Sequence, residues 1–221
     1  MTVLPPPDKQ DVLTISGQRL TQRAVTRGLR CNIVAGSLGM VWVAAAMGMT
    51  TTLFMERLGA SGLLIGMVVT VQQLAMAVQI PAALYAERLP SRKPFWAVIN
   101  IPQRLLWFLP AALAMAASPG QSWLPGAIIG IVAVSSVMTY TASAGWFSWM
   151  ADLVPARRRN RFWAIRQSFT MLAYLIAVAA TGWVLDRFNP AGGSGGPLLG
   201  FAIVYGVGAI AGTADIVVHL W

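Results

Sequence analysis

Arg104 sits about ten residues inside a long apolar run, roughly 15 Å from its start, where lipid would leave a guanidinium without water. A charge at that depth needs a partner. Two roles are open to it: lining a substrate path, or bracing the bundle by snorkelling or by bonding to carbonyls. Asn100 and Gln103 share the same run, Gln72, Gln73 and Gln79 lie in the run before it, and Thr139, Tyr140, Thr141 and Ser143 lie in the run after it. Ser136, Tyr140, Ser143 and Phe147 recur at spacings of four, three and four, which puts them on one helical face and makes that face the expected wall of a cavity. Such glutamines and hydroxyls also serve as hydrogen-bonding glue between membrane helices. Asp215 and His219, four apart, could share a proton or hold a metal or tetrapyrrole, but one histidine without further ligands is a poor metal site. An interfacial polar pair is the expectation there, with no metal and no cofactor. The sequence carries no nucleophile–base pair, phosphate-cradling glycine loop or carboxylate dyad, so nothing in it suggests an enzyme.

The elements that must position these residues are transmembrane helices. Over 221 residues the chain is 57% hydrophobic and 10% charged, against about 25% charged in a soluble domain, and its mean hydropathy is +0.64. Apolar runs broken by Gly, Pro and charge predict spans over 32–55, 61–86, 95–117, 124–150, 162–185 and 197–221, each long enough to cross a bilayer. The expected fold is an all-α integral membrane protein of six transmembrane helices, with residues 1–30 a basic N-terminal segment and 31–221 the membrane domain. Short connectors make successive helices antiparallel neighbours. Paired glycines four apart, Gly62 with Gly66, Gly126 with Gly130 and Gly208 with Gly212, suit close helix approach.

Basic residues collect on one side of this arrangement. Lys9, Arg19, Arg23, Arg27 and Arg30 precede the first span, Arg88, Arg92 and Lys93 follow the second, and Arg157, Arg158, Arg159, Arg161 and Arg166 follow the fourth. Only Arg57 and Arg187 fall on the other side. The positive-inside rule then puts both termini in the cytoplasm and the chain in a cell membrane, with a bacterial inner membrane the expected setting. The net charge of +9 is accounted for by this topology signal, and no nucleic-acid recognition fold accompanies it. Arg19, Arg23, Arg27 and Arg30 recur at helical spacing, so the N-terminal segment reads either as a surface-lying basic helix or as a charged topology anchor. Cys31 is the single cysteine, which excludes an intramolecular disulfide. The first apolar run is too long and starts too late for a cleaved signal peptide.

The second connector reads Ala83-Leu84-Tyr85-Ala86-Glu87-Arg88-Leu89-Pro90-Ser91-Arg92-Lys93 and resembles the loop between helices two and three of major facilitator superfamily transporters. Glu87, Arg88, Arg92 and Lys93 match that pattern in charge and spacing, whereas Ala83 and Pro90 stand where it has glycine and Glu87 where it has aspartate. Residues 56–66 resemble the family's first external loop entering helix two. Residues 152–161, with Asp152, Arg159 and Arg161, resemble its loop from helix four to helix five, Asn160 standing where glycine is common. The arginine-containing helix-four signature of the family's drug/proton antiporters is absent.

The resemblance implies a six-helix N-terminal half built of two inverted three-helix repeats, with spans one and four lining a cavity at mid-membrane. It also implies that Glu87, Arg88, Arg92, Lys93, Asp152, Arg159 and Arg161 act in conformational locking against a second half, Glu87 meeting a helix N-terminus there. The cavity candidates are Arg104, Gln72, Gln73, Asn100, Ser136, Tyr140 and Ser143. Since the chain stops at the end of its sixth apolar run, the expectation is a fragment of a twelve-helix transporter, a half-length transporter, or a former half now serving as a subunit of a membrane complex. The first two imply transport of a small solute by alternating access. The last implies a non-transporting scaffold. The expected partners are lipid together with a second half, a second copy or a larger complex.

Overall fold

A computed structural model describes residues 11–13, 19–89, 91–116, 121–154, 159–189 and 198–220. Among the described residues a two-stranded antiparallel ribbon, β1 (Asp11–Leu13) with β2 (Arg19–Thr21), precedes nine helices, and these helices make six apolar rods long enough to cross a membrane. The protein is therefore a multi-pass membrane protein. Helix is the expected answer in lipid because it satisfies every backbone N–H and C=O within its own segment.

Span one consists of α1 (Gln22–Ala46) and α2 (Met49–Arg57). It begins ten residues before the predicted start at 32, and so runs through the expected boundary at residue 30. Thr21 explains the early start: its hydroxyl accepts from the Ala24 amide, a side-chain N-cap, and the exposed Arg23, Arg27 and Arg30 that follow are good helix formers. These arginines extend the first span and do not form a separate surface helix.

Three spans are interrupted, each for an identifiable reason. Between α1 and α2 the chain turns at Gly48, whose φ of 119° is left to glycine. The freed carbonyls of Ala44 and Ala46 are taken by the hydroxyls of Thr50 (2.9 Å) and Thr51 (2.8 Å), and the Tyr205 hydroxyl joins Thr51 from span six. Span two, α3 (Gly62–Met76) and α4 (Gln79–Glu87), breaks at Ala77, four residues before Pro81. Span three, α5 (Arg92–Leu105) and α6 (Phe108–Ala116), breaks at Leu106, four residues before Pro110. A proline lacks the donor for the carbonyl four residues back and its ring crowds it, so both breaks fall where the sequence dictates. Spans four to six are the continuous helices α7 (Leu124–Leu153), α8 (Arg159–Phe188) and α9 (Leu199–Leu220).

Side-chain pairs fix the register. Against α1, helix α9 runs antiparallel, bringing Gly208 to Ala45, Gly212 to Trp42, Asp215 to Gly39 and His219 to Asn32. Helix α8 runs parallel to α1, with Arg166 and Thr170 against Gly36. Helix α7 takes Gln103 and Trp107 of span three on Ser135, and the Gln79 amide of span two on Ser143. Of the three predicted glycine pairs only Gly208 with Gly212 makes a close approach; a Cβ at Gly62, Gly66, Gly126 or Gly130 would meet nothing described within 4 Å. Spacing alone could not separate a glycine facing a neighbouring helix from one facing outward.

Candidate functional site

Five polar residues form one connected set across four spans. Arg166 Nε on α8 donates to Asn32 Oδ1 on α1 (2.7 Å). With that oxygen committed, the amide of Asn32 faces the other way, and its Nδ2 meets His219 Nε2 at 2.9 Å and Met150 Sδ at 3.1 Å. His219 Nε2 must then accept, so the imidazole carries its proton on Nδ1, which lies 3.0 Å from the Asp215 carbonyl and 2.9 Å from Asp215 Oδ1. The other carboxylate oxygen, Asp215 Oδ2, accepts from Arg104 Nη2 on α5 at 3.4 Å. The chain of contacts therefore runs Arg166, Asn32, His219, Asp215, Arg104, with a donor facing an acceptor at each link.

Tryptophans support both cations. The Arg104 guanidinium lies 3.6 Å from the Trp42 ring centre, and that of Arg166 lies 5.0 Å from Trp146 and 5.5 Å from Trp163. His219 is packed edge-on against Trp96. An arginine over an aromatic face recovers part of the hydration it loses on burial, and Arg104 depends on this: its Nε and Nη1 are buried with no hydrogen-bond partner among the described residues. Three glycines make room for the charges. A Cβ at Gly39 would sit 2.8 Å from Asp215 Oδ2, one at Gly212 would sit 2.6 Å from Arg104 Cδ, and one at Gly36 would sit 2.7 Å from Arg166 Nη2.

This network borders a cavity of about 210 Å³, open on one side, to which spans one, three, four, five and six contribute. Gly39, Arg104 and Thr139 lie near the middles of their rods, while Arg166 and His219 lie toward the end of the bundle that also holds Lys93 and Arg159. Among the described residues, charged groups enter the wall only as Arg104, Arg166 and Asp215, with His219 beside them.

Among the residues expected to line a cavity, Arg104, Asn100 and Ser143 do so, joined by Thr139 and Phe147. Asn100 is buried and turns its amide onto the Trp96 carbonyl. Ser136 is fully buried and Tyr140 half-buried, and neither reaches this cavity: the helix-four stripe lines it only over its second half. Gln72 is half-buried, Gln73 is exposed, and both are away from it. Asp215 and His219, expected as an interfacial pair, are instead 5% and 7% exposed and form the hinge of the network. Burial follows because α9 packs along α1 from Asn32 to Ala45, which sequence hydropathy does not encode.

Of the loop residues, Lys93 Nζ donates to the Leu220 carbonyl at the C-terminus of α9 (2.8 Å), where a cation is favoured by the helix dipole. Arg159 Nη2 reaches the Ala151 carbonyl (3.4 Å), bridging α8 to α7. Arg92 lies in the first turn of α5, and Glu87, Arg88 and Arg161 are exposed at helix ends. The side chain of Asp152 lies outside the described residues.

Asn32, Trp42 and Arg166 were not read as site residues from the sequence, although Arg166 was counted among the basic flank. A signal for the Arg104–Asp215 pair did exist. Asp215 is an acid inside an apolar run, and an arginine deep in another run needs just such a partner. Comparison with family models, curated proteins and solved structures gives no match to this chain.

Proposed function

We propose that this chain is one six-helix half of a solute transporter of the major facilitator type, moving its substrate by rocking against a second six-helix unit. The observation that carries the reading is the open cavity walled by Arg104, Arg166, Asp215 and His219 inside an apolar bundle. Charges within a membrane protein are expensive to keep and ordinarily mark a path for solute or ion.

Two further features support it. Most helix contacts map onto themselves when spans one, two and three are exchanged with four, five and six: one packs on five and six as four packs on two and three, and three packs on six, although the contact of five with six has no counterpart between two and three. Because three spans separate the equivalents, each pair runs in opposite directions, as in an inverted repeat. Spans two and five, equivalent under this exchange, are also the least buried, with large apolar side chains such as Leu74 and Leu172 outward. In this reading their faces meet the second unit, the cavity opens toward it, and the loop carrying Glu87, Arg88, Arg92 and Lys93 lies on the cytoplasmic side.

The test is reconstitution into liposomes after cross-linking from Leu74→Cys and Leu172→Cys in native membranes, in a background with Cys31 replaced by Ser. A captured six-helix unit, together with saturable uptake of a solute panel that Arg104→Gln abolishes, is expected. Uptake indistinguishable from protein-free liposomes for every assembly and solute would overturn the proposal. It would leave the scaffold-subunit reading, to which the same exposed faces of spans two and five would belong.

A further inference from the structure

We propose that the cavity takes a small organic monoanion, its carboxylate held by Arg166 with Arg104 behind it and its apolar body against Trp146 and Phe147. The inference deepens the transport reading and rests on it for the fate of the ligand, although binding can be measured without transport.

Charge balance comes first. Two guanidinium groups and one carboxylate face the cavity. The fourth ionisable group, His219, adds no negative charge in either protonation state, so the excess is at least one positive charge. That charge is left over in a site walled by apolar helices, where an uncompensated ion is costly and a monoanion restores neutrality. A neutral or cationic occupant would leave the imbalance or worsen it.

Donor availability points the same way. Asp215 Oδ2 accepts from Arg104, and Oδ1 lies 2.9 Å from His219 Nδ1 but makes no hydrogen bond among the described residues. Arg166 spends only Nε on the protein; its two terminal amino groups meet no acceptor among the described residues, and the guanidinium borders the open cavity. A terminal pair of parallel N–H donors fits a carboxylate in the two-pronged manner. Packing against Gly36 and against the contacting rings of Trp146 and Trp163 restricts that fork, so the site is preformed.

The remaining wall sets the rest of the ligand. Met40, Val43, Trp146 and Phe147 offer apolar and aromatic surface that a bare inorganic ion would leave uncovered. At about 210 Å³ the cavity falls below the roughly 300–1,000 Å³ of clefts for drug-sized ligands, which limits the occupant to a compact molecule.

Binding to the 221-residue chain in mild detergent, followed by tryptophan fluorescence and by calorimetry, tests this with benzoate, its neutral isostere benzamide, the cation benzylamine and inorganic phosphate. Saturable benzoate binding is expected, with benzamide and phosphate at least tenfold weaker and benzylamine not detected. Arg166→Gln should weaken benzoate at least tenfold and leave benzamide unchanged. Ser143→Asp, which places a competing carboxylate in the wall without touching either arginine, should abolish benzoate binding and serves as the check if Arg166→Gln does not fold. The inference is overturned if benzamide binds as well as benzoate, if both variants bind benzoate like the parent, or if phosphate competes on equal terms. Repetition in nanodiscs with and without phosphatidylglycerol separates a free solute from a lipid headgroup, and loss of benzoate binding in the anionic discs would reassign the site to lipid. Benzoate binding without uptake would defeat the transport reading alone, whereas uptake of a neutral solute without benzoate binding would defeat the anion site alone.

Discussion

Replacement of Asp215 by Asn is the sharpest probe of the network, because it removes one charge and almost no volume. Arg104 is 8% exposed and Asp215 is its only anionic partner among the described residues, so the substitution leaves a buried guanidinium facing an amide. Removing one member of a buried ion pair ordinarily costs about 3–5 kcal/mol. Two features place this case at the lower end. The contact is 3.4 Å through a single nitrogen, longer than the roughly 2.7–2.9 Å of a strong charge-assisted bond, and the face of Trp42 at 3.6 Å remains to hold the cation. His219 loses little, since its Nδ1–H keeps the Asp215 backbone carbonyl at 3.0 Å. The expected loss is about 3 kcal/mol. Removing both charges, as in Arg104→Met with Asp215→Asn, eliminates the stranded cation and should return the protein to within about 1 kcal/mol of the parent. Reversible unfolding in mixed micelles of increasing dodecyl sulfate content, followed by tryptophan fluorescence, measures both. A single substitution costing under about 0.5 kcal/mol, or a double one worse than the single, would refute the pairing as an energetic unit.

Gly39→Ala should destabilise by about 1–3 kcal/mol through the clash with Asp215 Oδ2, whereas Gly66→Ala, with nothing described within 4 Å, should stabilise by up to about 1 kcal/mol through helix propensity; opposite signs in thermal unfolding are the check. Thr51→Val should cost about 1–3 kcal/mol because it strands the Ala46 carbonyl at the span-one break and removes the partner of Tyr205, and it should speed amide exchange around Gly48. Ser91→Cys and Asn160→Cys, both exposed at the basic end of the bundle, should react with a membrane-impermeant maleimide only after the membrane is opened; reaction in sealed cells would reverse the proposed orientation.

How far the sequence reached depended on the range of the physics involved. Six spans follow from composition, and the proline-induced breaks at Ala77 and Leu106 follow from a chemical rule of range four, although only the spans were read in advance. The helix of span one starts ten residues before the apolar run, because hydropathy marks where lipid begins, while a helix begins where its amides are capped, here at Thr21. For the site, Arg104, Asn100 and Ser143 were legible as polar groups inside apolar runs. Gln72, Gln73, Ser136 and Tyr140 looked the same by that criterion and lie elsewhere, since a polar residue in a span can face any neighbour.

By itself, then, the sequence determined that the chain must be a six-span membrane bundle with its basic residues gathered at one end, and that Arg104 could not stand alone. Both are consequences of transfer free energy, which each segment feels independently of its neighbours. Only the tertiary structure decided who answers Arg104. Asp215 meets it because α9 packs antiparallel along α1 and against α5, where Gly39 and Gly212 leave space for the carboxylate and the guanidinium. The same packing brings Asn32 between His219 and Arg166, and so sets the direction of every hydrogen bond in the network. Pairings across more than 100 residues of chain are settled by which helix faces fit together, and no local pattern records that.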